Sequence, residues 1–275
     1  MNCAWKELLG ILPPMLRPEV DKRGRETAQQ LRLRLGDPLV IATQRKMIAI
    51  GSPITADMLN YVVNTACRYS PWTAATAANG YITAPGGHRI GICGETVLSD
   101  GAMTGFRSIR SLHIRVARDF PGIADSLVQL QGNLLLLGPP GSGKTTLLRD
   151  LIRRRSRREN ISVVDERGEL FPVGIDPGCS VDVITGCSKI QGIDAVLRTM
   201  GPDTIAVDEI TAAADCDALL QAGWCGVRLL ATVHGASIRD LRSRRVYRPL
   251  LDSGLFDSLV ILHEDKSFRT ERMQL

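Results

Sequence analysis

The stretch Gly138-Pro139-Pro140-Gly141-Ser142-Gly143-Lys144-Thr145-Thr146 has the spacing G-x-x-x-x-G-K-[ST] and directly follows the apolar run Leu134 to Leu137. Glycines let backbone N–H groups turn inward around phosphate oxygens, and a helix starting behind them adds the positive end of its dipole. In that arrangement Lys144 reaches the β- and γ-phosphates of a nucleoside triphosphate, and the Thr145 hydroxyl ligates Mg²⁺. These nine residues are therefore the expected phosphate cradle. A glycine-rich turn without a ligand is the bland alternative, and the flanking strand and helix patterns weigh against it.

A cradle of this kind needs a carboxylate on a neighbouring strand. Thr204-Ile-Ala-Val-Asp208-Glu209 supplies two at one strand end. Asp208 is expected to contact Mg²⁺, through water, and Glu209 is a candidate general base. A second acidic end, Asp165-Glu166-Arg167, has two readings of similar weight: a further water-orienting carboxylate, or a turn closed by an ion pair to Arg167. Ala231-Thr232-Val233-His234-Gly235 ends another apolar run. A hydroxyl and an imidazole there can donate to a γ-phosphate or its water, which makes His234 a candidate sensor of phosphate loss.

These residues need elements to hold them. Five continuous apolar runs, 133–137, 161–165, 204–208, 227–233 and 258–262, read as strands covered on both faces, as in a parallel sheet under helices. Helical patterns at 144–155 and 212–223 lie between them. Residues 126–275 are thus expected to form an α/β domain with a mostly parallel sheet. Residues 1–125 have another rhythm and read as a smaller α+β domain. Its first 35 residues look helical, LRLRLGDPLVI suits a hairpin at Gly36-Asp37-Pro38, and 54–69 suits a helix opening at Thr55. YIT, HRIGICGE and SLHIRVARD read as short strands.

Composition bounds the function. A chain of 275 residues, 44% hydrophobic, suits a globular protein of one or two domains with room for a proper core. The net charge of +5 is concentrated in Arg153–Arg158 and Arg239–Arg248. Such runs are more often solvated helix faces than nucleic-acid contacts, and only 4% of residues are aromatic, so stacking platforms for single strands are scarce. Seven scattered cysteines without CxxC spacing read as reduced core filler. No apolar stretch approaches the roughly 20 residues of a spanning helix, so membrane contact is expected through a partner.

The order of P-loop, VVDERGE, LRTMGPDTIAVDEI and AAADCDALLQAGWCGVRLLATVHG resembles the RecA-like domain of type II/IV secretion-system ATPases. Arg198, Pro202 and Asp203 fall on that family's "LR…PD" segment. A wider likeness, carried by RLRLGDPL, GYITAPGGHRIGICGE, SLHIRVARD, GPPGSGKTTLLRDLIR, VVDERGE and VDEI, is to the stage III sporulation AA family of endospore formers. The chain departs from that pattern at Thr211, where the family has glycine, and in a shorter segment after VVDERGE. The resemblance implies ATP as the nucleotide and a cytoplasmic homo-hexameric ATPase. It also implies docking beneath membrane channel proteins of the stage III complex, on the mother-cell side. By the same resemblance a first-domain arginine, among Arg89, Arg107, Arg110 and Arg115, reaches the nucleotide. Two rival functions remain: a nucleic-acid-stimulated RecA-like motor, and an assembly scaffold that binds nucleotide without turnover.

Overall fold

The computed structural model describes residues 5–43, 45–67, 80–172 and 175–273. The chain divides into two compact units, Met1–Asp119 with Pro172–Ile175, and Phe120–Phe171 with Asp176–Leu275. Phe120 to Asp125 thus fall in the second unit, ahead of the expected change at 125. Their tether is local: the Asp150 carboxylate accepts the Gly122 and Ala124 amides, each at 2.9 Å.

The first unit contains helices α1 (Trp5–Ile11), α2 (Arg17–Gly24) and α3 (Ala56–Cys67). Its strands are β1 (Gln30–Arg34), β2 (Pro38–Ala42), β3 (Met47–Pro53), β4 (Tyr81–Ala84), β5 (His88–Ser99) and β6 (Ala102–Arg115). The sheet is antiparallel throughout, in the order β3-β2-β1-β6-β5-β4. Period-two alternation decides the core face. Leu31 pairs with Ile41 on one side and Ile114 on the other, and all three are buried. The helical reading of residues 1–35 is corrected here: helix stops at Gly24, and 30–34 form the strand between β2 and β6. Thr55 accepts the Met58 amide at 3.3 Å and opens α3, which buries Leu59, Val62 and Ala66. The end of the helix expected to reach Tyr69 lies outside the described residues.

The second unit is built on β7 (Leu134–Gly138), α4 (Lys144–Arg155), β8 (Ile161–Asp165), β9 (Val181–Thr185), α5 (Lys189–Thr199), β10 (Thr204–Ile210) and α6 (Ala213–Trp224). It continues with β11 (Arg228–His234), α7 (Ile238–Ser243), α8 (Arg248–Asp252), β12 (Ser258–Leu262) and β13 (Phe268–Arg272). Strand order is β13-β12-β7-β11-β10-β8-β9, parallel except for β13. The five apolar runs are the five central strands, and their hydrophobic side chains are buried under the helices. Among the described cysteines only Cys216 is buried, so the core-filler reading holds for that residue and not for the exposed Cys93, Cys179 and Cys225.

Candidate functional site

Parallel order brings the carboxyl ends of β7, β11 and β10 side by side, where ligands of open α/β sheets collect. His234 pairs in register with Gly138 at the start of the glycine-rich loop, and Glu209 pairs with Thr232 one strand further.

The loop itself has the geometry of an anion cradle. Gly141 and Gly143 adopt φ values of +75° and +97°, open to glycine and strained for other residues. Among the described residues, the amides of Gly141, Gly143, Lys144, Thr145 and Thr146 meet no backbone carbonyl. The Ser142 hydroxyl is buried without a hydrogen-bond partner. Donors of this kind, at the N-terminus of a 12-residue helix, suit phosphate oxygens.

Lys144 is only 5% exposed. Its ammonium donates to the carbonyls of Gly138 and Pro139, at 2.9 and 3.0 Å, and to His234 Nδ1 at 2.9 Å. Burial lowers its pKa, while the charges of Glu209 and Asp208 act the other way. An ammonium has no lone pair, so His234 Nδ1 must accept and the ring proton must sit on Nε2. Nε2 then donates to Glu209, 3.1 Å away. Lys144, His234 and Glu209 form one chain of hydrogen bonds.

Asp208 owes its place to an irregularity. The pairing of β10 with β11 skips it, shifting register between Val207 and Glu209. In a regular strand, consecutive residues face opposite sides; a bulge lifts that restriction. Asp208 Oδ1 accepts from Thr145 Oγ1 at 3.4 Å and Thr232 Oγ1 at 3.3 Å, while Glu209 still reaches His234. The Asp208 carboxyl is pushed up to about 6, first by burial and then by the charges of Asp165 and Glu169, with the Thr232 hydroxyl opposing. A cation beside it would relieve that cost. No group of three or more His, Cys, Asp and Glu side chains is placed to hold a metal unaided among the described residues. A carboxylate and a hydroxyl side by side, Asp208 and Thr145, are oxygen donors of the kind that would suit Mg²⁺, which takes one or two protein oxygens and completes its shell with phosphate and water.

The second acidic end is different. The fully buried Asp165 accepts the amides of Glu169, Leu170 and Phe171 at 2.9, 2.8 and 3.0 Å, which commits both oxygens to closing the loop after β8. Glu166 pairs with the buried Lys189 at 2.6 Å, not with Arg167. Lys189 lies 3.9 Å from Asp215, whose carboxylate caps the start of α6 by accepting the Thr211 and Ala212 amides. Nothing in the residues around Lys189 announces this; it depends on α5 lying beside β8. Thr211, the departure from the family pattern, is absorbed into the same cap.

Several of the remaining sequence candidates have local partners. Arg198 pairs with Asp194 on an exposed face, and Asp203 accepts the Asn160 amide at 2.8 Å. In the first unit Arg107 pairs with Glu95 and Arg89 lies 4.1 Å over the Tyr81 ring. In the first basic run, Arg154 pairs with Asp125, and the buried Arg155 donates to the Leu130 and Gly132 carbonyls. Arg153 donates to the Asp176 carbonyl. In the second run Arg244 pairs with Asp240 and donates to the His234 carbonyl.

The fold has known counterparts. The chain resembles the solved pilus retraction motor PilT with bound ADP, at TM-score 0.61 and 15% identity, covering 88% of this chain and 76% of that one. It also resembles the ATPase DotB of Legionella pneumophila, at TM-score 0.57 and 17% identity, covering 95% of this chain and 80% of that one. At these identities the likeness shows the fold. By sequence, type II secretion system protein E of Pseudomonas aeruginosa is 32% identical over 118 residues, 42% of this chain and 23% of that protein. Stage III sporulation protein AA of Bacillus subtilis (strain 168) is 32% identical over 280 residues, 94% of this chain and 91% of that protein. The model of the family described as "Sporulation stage III, protein AA" matches residues 6–272, and the chain belongs to that family.

Proposed function

We propose that the chain is a Mg²⁺-dependent ATPase, working as a homo-hexameric motor that energises a membrane channel complex during endospore formation. The observation that carries this reading is the meeting of the orphan amides, Lys144, Asp208, Glu209 and His234 at adjacent strand ends. The PilT structure of similar fold holds ADP, and the family assignment supports the sporulation setting. No described helix is long and apolar enough to cross a membrane; on this reading attachment runs through partner proteins at the cytoplasmic, mother-cell face.

Binding would begin with exchange. The phosphates take the Lys144 ammonium from the Gly138 and Pro139 carbonyls, and the orphan amides of Gly141, Gly143, Lys144, Thr145 and Thr146 close on the oxygens. Thr145 and Asp208 would hold Mg²⁺, whose charge would offset that of the triphosphate. Glu209 orients a water in line with the γ-phosphorus and takes its proton as the bond to the ADP oxygen breaks. Glu166 is committed to Lys189. His234 connects the two events: it touches Lys144 on one side and Glu209 on the other, so a change at the cradle reaches the base. Such catalysis is mostly positioning and electrostatics.

The test is phosphate release by purified protein. Lys144→Ala should abolish turnover, and Glu209→Gln should bind ATP without hydrolysing it. A Glu209→Gln protein that turns over at the wild-type rate removes Glu209 from this role. Turnover stimulated by DNA or RNA and weakened by salt would favour the nucleic-acid motor; the internal contacts of Arg153, Arg154 and Arg155 leave the exposed Arg157 and Arg158 of that run for phosphates. Absence of hydrolysis even in an assembled ring would favour the scaffold.

A further inference from the structure

The hairpin that ends the second unit carries a cation that the P-loop motif does not include. Between β12 and β13 the chain turns through His263 to Ser267. The His263 amide donates to the Ser267 carbonyl at 2.9 Å and the Lys266 amide to the His263 carbonyl at 3.1 Å. Asp265 accepts from the Ser267 amide and hydroxyl at 2.9 and 2.6 Å. A turn of this length has a left-handed position before the second strand, ordinarily filled by glycine or asparagine. Lys266 fills it here, at φ +73°.

A β-carbon in that region is strained, and such strain persists only where the surroundings impose it. The surroundings are the phosphate loop. Leu262 approaches Gly138 so closely that a Cβ on the glycine would stand 2.9 Å from the Leu262 carbonyl oxygen. The Lys266 stem passes over Gly143, its Cδ 3.8 Å from where a Cβ would be. Its ammonium donates to the Gly141 carbonyl at 2.5 Å. The Gly141–Ser142 peptide is thereby held at both ends, because the Ser142 amide donates to the Pro139 carbonyl at 3.2 Å. A peptide unit is planar, so fixing its two ends fixes the turn. The orphan amides of Gly141, Gly143 and Lys144 flank that turn.

We propose that Lys266 is a positioning residue for the polyphosphate site: from the β12–β13 turn it clamps the Gly141 peptide and keeps the loop open for phosphate. The inference rests on the nucleotide reading above. A clamp of this kind acts on binding; once ATP is seated, Glu209 and its water are unaffected.

The test uses the full chain and ATP with Mg²⁺, measured by calorimetry and by steady-state phosphate release. Lys266→Met should raise Kd and KM about tenfold with kcat within about twofold, and Lys266→Arg should restore most of the affinity. Lys266→Gly removes the ammonium and the strain together. It should lose the same affinity while the thermal midpoint of the nucleotide-free protein stays level or rises. ATP binding by the Met and Gly variants within about twofold of wild type overturns the clamp. So does a Gly variant that loses stability along with affinity, which would make Lys266 merely structural. A wild-type chain that binds no ATP overturns the nucleotide reading and the clamp with it; that failure shows in the unmodified protein, before any variant is compared.

Discussion

Asp208 is where folding and function conflict. An ordinary aspartate titrates near 3.8, and burial beside Asp165 and Glu169 pushes this one up to about 6. Between those values the folded state holds a proton that the unfolded chain has released, so stability falls as pH rises from about 4 to about 6 and is then level. Burial raises Asp165 in the same direction, against its three amide donors. Asp208→Asn should therefore stabilise the nucleotide-free protein at pH 7 by about 1–3 kcal/mol and flatten its pH profile between 4 and 6. The same substitution should abolish Mg²⁺-dependent turnover. Urea titrations across that range check the first outcome; an unchanged or lowered midpoint at pH 7 would contradict it. His234 offers a spectroscopic check. Its contact with Lys144 requires the Nε2–H tautomer, so ¹⁵N spectra of the free protein should show Nδ1 unprotonated, and ATP should shift that resonance by withdrawing the ammonium.

Helices and strands set the tolerances within which such residues work. Gly192 lies on α5 against β8, and a Cβ there would stand 2.4 Å from Val164 Cγ1 and 3.2 Å from Cys187 Sγ. Gly192→Ala should force the helix from the strand just ahead of Asp165 and cost about 1–3 kcal/mol, read as a lowered urea midpoint. Gly10 on α1 has nothing within 4 Å of the same position. Gly10→Ala should instead stabilise by about 0.5–1 kcal/mol, because alanine loses less backbone freedom in a helix. Equal effects at the two sites would mean that close packing of α5 on β8 is not what requires glycine.

Across the whole molecule, a ligand that binds only the folded state stabilises by mass action, about 2.7 kcal/mol at a hundred times its Kd. On the proposed function, ATP with Mg²⁺ should therefore slow amide exchange through β7, β10 and β11 and the start of α4. The three strands share one sheet, α4 follows β7 through the glycine-rich loop, and their ends hold the proposed ligand. The amides of β1 to β6 belong to another compact unit with its own core. Protection confined to that first unit would place the nucleotide elsewhere.

What the sequence alone determined was whatever a local pattern can encode. The five central strands were legible because burial on both faces leaves continuous apolar runs such as Leu134–Leu137 and Ile205–Val207. The cradle was legible because its glycines, lysine and threonine are consecutive. The edge strands were not. β9 is half exposed and carries Asp182, and β13 reads FRTER, with charges that keep an open edge from pairing further. The sheet order decided the rest. Lys189 finds Glu166 across 23 residues, Lys144 finds His234 across 90, and Lys266 finds Gly141 across 125. A contact of that span leaves no periodicity in the chain; it exists only once strands distant in sequence lie side by side.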